Sequence, residues 1–257
     1  MEAPTGGSIL LAGVLLKIGF YGFYRISIPF FFYASQYYLF FLYFICFVSI
    51  THSMLVSLRQ IDAKRIIAYS SIAHMNFGLL GLFSFTVDGL LGSLLLMLGH
   101  GFISSGLFAM IGILYSRYGT RILYYYGGLV NFMPKLSFFF FLFILGNISF
   151  PLTFSFPAEV LIFFSLITKS KILFLFIIPG LVLNLVNSIL LYSRIFFGYP
   201  KLQYISAYFD ITILEFLVLS YLLFFMIFFG INPSFILNFL YYDVLSYVSS
   251  IVFFYGQ

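Results

Sequence analysis

Long apolar runs alternate with short polar breaks along the chain. Read against their proline, glycine and charged breakers, the runs predict seven membrane-length helices near 7–26, 37–58, 66–85, 89–115, 136–167, 174–197 and 211–231. A further apolar stretch, 234–255, carries Asn238 and Asp243 and reads as a surface-lying or terminal helix. Apolar and polar residues do not alternate as they do in a lipid-facing barrel strand. SFFFFLFILGNISF is apolar on every face, the pattern of a helix in lipid. The fifth run is too long for one straight crossing. It holds Pro151 and Pro157 with Thr153 and Ser155 between them, which predicts either two half-helices joined by an unwound segment at 151–157 or a simple proline kink.

Composition turns this pattern into a fold class. The 257 residues are 63% hydrophobic and only 7% charged, whereas a soluble domain needs about a quarter of its residues charged to clothe its surface. The chain is therefore expected to be an all-α polytopic membrane protein. Loops 59–65, 117–135 and 194–201 hold eight of the twelve basic residues and, with seven crossings, fall on one face. By the positive-inside bias that face is the cytoplasm- or matrix-equivalent side, shared with the N-terminus. The net charge of +5 thus reads as membrane orientation, with no nucleic-acid partner. A single cysteine, Cys46, excludes an internal disulfide framework and a cysteine-held cluster. No secretory or Arg- and Ser-rich leader is visible at Met1-Glu2-Ala3-Pro4, which fits synthesis beside the membrane.

Four ionisable residues interrupt the runs: Lys17, His74, His100 and Glu159. A charge at mid-bilayer costs on the order of 3 kcal/mol, so four of them call for an interior polar path. Lys17, in VLLKIGFYG, is too deep to snorkel, and helical spacing puts Tyr21 and Tyr24 on its face as partners or water holders. His74 follows Ser70 by one turn in SSIAHMNFG, and His100 lies among Gly99, Gly101 and Ser104 in MLGHGFISSG. Each histidine is either a proton relay or a satisfied interhelical hydrogen-bonder. Glu159, in FPAEVL, follows the break, where the N-terminal end of a second half-helix favours a carboxylate. His52 reads as interfacial, and Asp62, Lys64 and Arg65 as a loop cluster; Lys64 is either an anchor or a point where protons enter. Three histidines without i, i+4 ligand spacing make a poor metal site, and no nucleotide-binding loop or hydrolytic triad appears. No metal, cofactor-binding or catalytic residue is expected; the chemistry on offer is protonation.

EAPTGGSILLAGVLLKIGFYGFYR, LRQIDAKRIIAYSSIAHMNF, LLMLGHGFISSGLF, YGGLVNFMPKLS and FPLTFSFPAEVLIFF, in that order, resemble the second half of the chain 4 family of mitochondrial NADH:ubiquinone oxidoreductase, respiratory complex I. These are antiporter-like subunits related to Mrp-type antiporter subunits, and the resemblance covers roughly residues 2–235. It implies a bundle of about fourteen helices with two inverted five-helix repeats, each with a broken helix. Residues 1–235 would be the family's eighth to fourteenth helices, including one complete repeat, and 236–257 a C-terminal apolar segment. The resemblance makes Lys17 the lysine at the centre of the proton path, His74 and His100 relays, and Glu159 the broken-helix glutamate leading to the exit. It implies no redox cofactor in this chain, with NADH, flavin, iron–sulfur clusters and ubiquinone used elsewhere in the complex. The implied partners are other membrane-arm subunits, lipids and a separate chain supplying the first seven helices, in the mitochondrial inner membrane. Pro157-Ala158 departs from the glycine that many relatives carry before the glutamate. Two other readings fit the same residues: a non-conducting structural spacer of the membrane arm, and an Mrp-like cation/proton antiporter subunit.

Overall fold

The computed structural model describes residues 4–169, 171–201 and 209–255. Its elements are α1 (Thr5–Phe30), α2 (Phe32–Tyr37), α3 (Leu39–Arg59), α4 (Ala63–Leu82), α5 (Val87–Tyr118), α6 (Pro134–Asn147), α7 (Ser155–Lys169), α8 (Lys171–Phe196), α9 (Ile213–Ile231) and α10 (Ser234–Tyr255). Among the described residues there is no β-strand, only an isolated antiparallel bridge between Asp62 and Ile122.

Among the described residues, five helices are long and apolar enough to cross a membrane: α1, α3, α5, α8 over Leu175–Phe196, and α9. The other predicted crossings differ for identifiable reasons. α4 has 20 residues but carries Lys64, Arg65, Ser70, Ser71, His74 and Asn76 among its apolar ones. The fifth run divides into α6 and α7, of 14 and 15 residues, each short of the roughly 20 a bilayer needs.

The chain does unwind between α6 and α7, but over 148–154 rather than 151–157. Pro151 lies in the unwound segment, whereas Pro157 sits in the first turn of α7. There a missing amide costs nothing, since first-turn amides have no intrahelical partner. Ser149 and Leu152 take positive φ values of 62° and 79°; Ser149, just past the Ile148 cap, cannot continue the right-handed α6, and Leu152 keeps the segment unwound before α7. Side chains staple the gap: Ser155 Oγ donates to the Gly146 carbonyl at 2.6 Å, and Thr153 Oγ1 to that of Phe150 at 2.7 Å.

Central in the packing is α5, which touches α1, α4, α6, α7, α9 and α10. Thr86 caps its start by accepting the Gly89 amide, and Gly119, at φ 67°, ends it in the left-handed conformation that glycine adopts without penalty. Close approach depends on its glycines. A Cβ on Gly106 would stand 2.3 Å from the Phe143 ring, and one on Gly92 would stand 2.9 Å from the Ala158 carbonyl oxygen.

The three basic loops are knitted into one face. The Ala63 amide donates to the Arg121 carbonyl at 3.0 Å and that of Leu123 to Ile61 at 2.9 Å. Gly128 and Val130 donate to the Phe197 and Phe196 carbonyls, and the Lys201 ammonium donates to that of Tyr124. At the other end, α10 packs on α5 and α2, with Val244 buried. Its Tyr247 hydroxyl donates to the Tyr24 carbonyl at 2.6 Å.

The apolar core is not continuous. One cluster runs through Ala12, Ile66, Ile67, Ile103, Leu107, Phe140, Ile144, Leu191 and Ile195 toward the basic loops. The other runs through Phe20, Ala73, Phe77, Leu96, Met97, Phe154, Ile162 and Ile177 toward the opposite end. In helix after helix the polar residues lie at this changeover: Lys17 between Ala12 and Phe20, Ser70 and Ser71 between Ile67 and Ala73, His100 between Met97 and Ile103. The fold therefore encloses a polar layer between two greasy halves.

Candidate functional site

Glu159 enters this layer from the second turn of α7, because the break at 148–154 sets where α7 begins. Its Oε1 lies 3.7 Å from Nδ1 of His74 on α4, and both side chains are less than a tenth exposed. His74 stacks on His100 of α5, with ring centroids 5.1 Å apart and planes 28° apart. Ser104 Oγ donates to the His100 carbonyl at 2.7 Å, freeing neither ring nitrogen nor occupying one. Ser70 likewise donates to the Ile67 carbonyl rather than to His74. A cavity of about 20 Å³, room for one water, is lined by His74, Glu159 and Asn184 among apolar side chains.

Lys17 approaches from α1. Two π-helical segments, Leu11–Leu15 and Phe23–Ser27, flank its stretch of α1, and its ammonium donates to the Ala12 carbonyl within the first. Wide turns of this kind recur at functional sites because they misalign the backbone ladder. A Cβ on Gly101 would stand 3.6 Å from Lys17 Cε, so the lysine stem lies across the residue next to His100. Tyr21 shares the groove in which Lys17 lies, whereas Tyr24 pairs with Tyr247 at a ring separation of 4.8 Å.

The structure thus brings together Lys17, His74, His100 and Glu159 from four different helices. Lys64 is not among them. It is buried in the first turn of α4 beside Arg121, ten residues and about 15 Å along the helix from His74. The loop cluster there is held by Arg65 Nε and Asp62 Oδ2, 2.9 Å apart. His52 is exposed on α3.

Sequence reasoning missed the amides. Asn147, the last residue of α6, and Asn184, Asn187 and Ser188 of α8 are all buried in the same layer. Asn184 Nδ2 donates to the Asn147 carbonyl at 2.8 Å and faces His74 Nε2 at 3.3 Å. Asn147 Nδ2 faces Ser188 Oγ at 2.9 Å and Asn184 Oδ1 at 3.5 Å, and Asn187 donates to Ser57 of α3. The signal was there in LNLVNS, whose i, i+3, i+4 spacing puts three polar residues on one face of an apolar helix.

A helical bundle with a broken helix and a buried lysine–histidine–glutamate layer is the class of membrane protein that the fold and the site define. The chain belongs to the transmembrane family of NADH:quinone oxidoreductase and Mrp antiporter subunits, matched over residues 1–186. It is 47% identical over 237 residues to NADH-ubiquinone oxidoreductase chain 4 of Chondrus crispus, covering 92% of this chain and 48% of that one. Chain 4 of Marchantia polymorpha is 44% identical over 234 residues, covering 91% and 47%. The chain spans about half the length of these curated relatives. Among solved structures, respiratory complex I from Thermus thermophilus superposes with a TM-score of 0.89 at 24% identity, over 96% of this chain and 52% of that one. A chain of the Mrp complex from Dietzia does so at 0.80 and 18% identity, over 95% and 55%. At such identities these two likenesses establish the fold.

Proposed function

We propose that the chain carries the proton-translocating second half of a chain 4 subunit of respiratory complex I, working within the assembled membrane arm of the mitochondrial inner membrane. The observation that carries this reading is the convergence of Lys17, His74, His100 and Glu159 in one buried layer. α4 and the α6–α7 pair join the five long apolar helices as crossings, giving seven, with α3 to α8 as the five-helix repeat. Residues 1–235 are the translocation unit and 236–257 a C-terminal apolar segment. The basic loops face the matrix.

In this reading Lys17 holds a proton at the mid-membrane and releases it toward His100. The stacked imidazoles pass it on, one nitrogen gaining a proton as another loses one, and Glu159 takes it from His74 toward the exit. Each transfer moves a charge within a medium of low dielectric, so each depends on how the neighbouring charges stand at that moment. The chain holds no redox cofactor of its own. NADH, flavin, iron–sulfur clusters and ubiquinone act elsewhere in the complex, and the remaining groups of the path are supplied from outside these 257 residues. Lys17→Ala and Glu159→Gln, introduced into the assembled complex, are expected to abolish or strongly reduce proton uptake per NADH oxidised in membrane vesicles. Normal stoichiometry in both variants would overturn the reading and favour a structural spacer.

A further inference from the structure

We propose that Asn147 and Asn184 are positioning residues that decide which ring nitrogen of His74 carries its proton and hold ready the acceptor that a second ring proton requires. This deepens the proton-path reading and rests on it. One atom of the network can only accept. The main-chain carbonyl of Asn147 receives a hydrogen bond from the Asn184 side chain at 2.8 Å, so the group of Asn184 that faces it is the amide NH₂. That fixes the orientation of the Asn184 side chain, which crystallographers otherwise infer from such networks. The same NH₂ faces His74 Nε2 at 3.3 Å, and an amide NH₂ only donates. Nε2 of the neutral ring must therefore be the acceptor. The ring proton sits on Nδ1, on the side of Glu159 Oε1 3.7 Å away.

The rest of the network follows. Asn184 Oδ1, now turned away from the carbonyl, meets Asn147 Nδ2 at 3.5 Å, and Asn147 Nδ2 also meets Ser188 Oγ at 2.9 Å. Asn147 Oδ1 is left as a fully buried oxygen with no hydrogen-bond partner. The main chain and side chain of Asn147 both lie against the His74 ring. An unmet acceptor in a buried site is costly, and a proton arriving on Nε2 supplies the donor it lacks. When His74 gains that proton, Asn184 gives way and Nε2–H turns to Asn147. When Nδ1 passes its proton to Glu159, the ring returns to neutral with its remaining proton on Nε2. The cycle closes when that proton is exchanged from Nε2 to Nδ1 by way of water in the cavity that His74, Glu159 and Asn184 line, and the Asn184 NH₂ again donates to Nε2. Proton count is conserved: one enters at Nε2, one leaves from Nδ1, and the one that stays changes nitrogen. The charged and titratable groups facing His74 are Glu159 from α7, His100 from α5 and Lys17 from α1; α3 and α8 face it with Ile50, Met54 and Asn184. Because Asn147 ends α6, protonation of His74 is tied to the helix break itself.

The test uses the assembled complex in membrane vesicles, with proton uptake read by a fluorescent amine during NADH oxidation and measured across the neutral pH range. Asn184→Asp keeps the shape but replaces the donor by an acceptor, so Nε2 must carry the proton. The pH of half-maximal uptake is expected to rise by about one to two units, with electron transfer retained. Asn184→Leu removes both groups and lets either tautomer form; uptake is expected to fall about tenfold. Asn184→Asp is isosteric and carries the test where the leucine variant assembles poorly. An unchanged pH profile in Asn184→Asp, with Glu159→Gln inactive, overturns this proposal while leaving the proton path standing. Full uptake in Glu159→Gln as well would overturn the path itself.

Discussion

Nδ1 of His74 and Oε1 of Glu159 face each other at 3.7 Å across the contact of α4 with α7, both buried. Neither side chain can change charge without the other feeling it, because no bulk water lies between to screen them. His74→Gln and Glu159→Gln are each expected to lower proton uptake, and the double variant to match the worse single one to within about twofold. Losses that multiply would mean the two residues act on separate steps.

Gly230 supports the break from outside. A Cβ there would stand 2.2 Å from the Leu152 carbonyl oxygen and 2.6 Å from the Thr153 carbonyl carbon, both main-chain atoms that cannot swing aside. Gly230→Ala is expected to destabilise the subunit by about 1–3 kcal/mol. Gly146→Ala meets mainly Met226 Sδ at 2.6 Å, on a flexible side chain, and should cost less. Thermal denaturation of the purified complex ranks the two, and the reverse order would contradict this account.

Asp210 caps α6 from the far end of the sequence. Its carboxylate accepts the amides of Lys135 and Leu136 at 3.0 and 3.3 Å, and that of Ile211 at 2.8 Å. Asp210→Ala should cost about 1–2 kcal/mol, with Asp210→Asn intermediate because it keeps an acceptor but not the charge. Equal stability of all three forms in chemical denaturation would show the cap to be idle.

Tyr126, in the loop between α5 and α6, donates to the Thr120 carbonyl at 2.6 Å. Burial pushes its phenol from 10 up to about 12. The folded state thus favours the neutral phenol more than the unfolded chain does. Its contribution to stability is fully present below about pH 10 and is lost as pH rises through about 12. Tyr126→Phe should lower stability at neutral pH by about 1 kcal/mol and flatten the alkaline decline. An alkaline unfolding profile that keeps its slope in the phenylalanine variant would assign the decline to another group.

The charged members of the site were legible because charge is so expensive in lipid: Lys17, His74, His100 and Glu159 each stood out from an apolar run. The amides were not. Asn147, Asn184 and Asn187 carry no charge, cost less to bury and look like ordinary interhelical bonds until the partners are known. The break was visible in Pro151 and Pro157, but its place was set by Ser149 and Leu152, whose backbone conformation no residue preference announces. Lys64 stood beside the site in sequence terms because α4 carries both. The helix rise of about 1.5 Å per residue keeps it a long way off.

α1 and α9 each have only 11% of their apolar window buried within the chain. For anyone who purifies this polypeptide by itself, the helix that bears Lys17 would be wrapped in surfactant, as would α9. Head groups and water would then reach the Lys17 groove from the side, and a titration or labelling experiment would report on the micelle as much as on the protein. The choice of preparation thus decides which lysine is being measured.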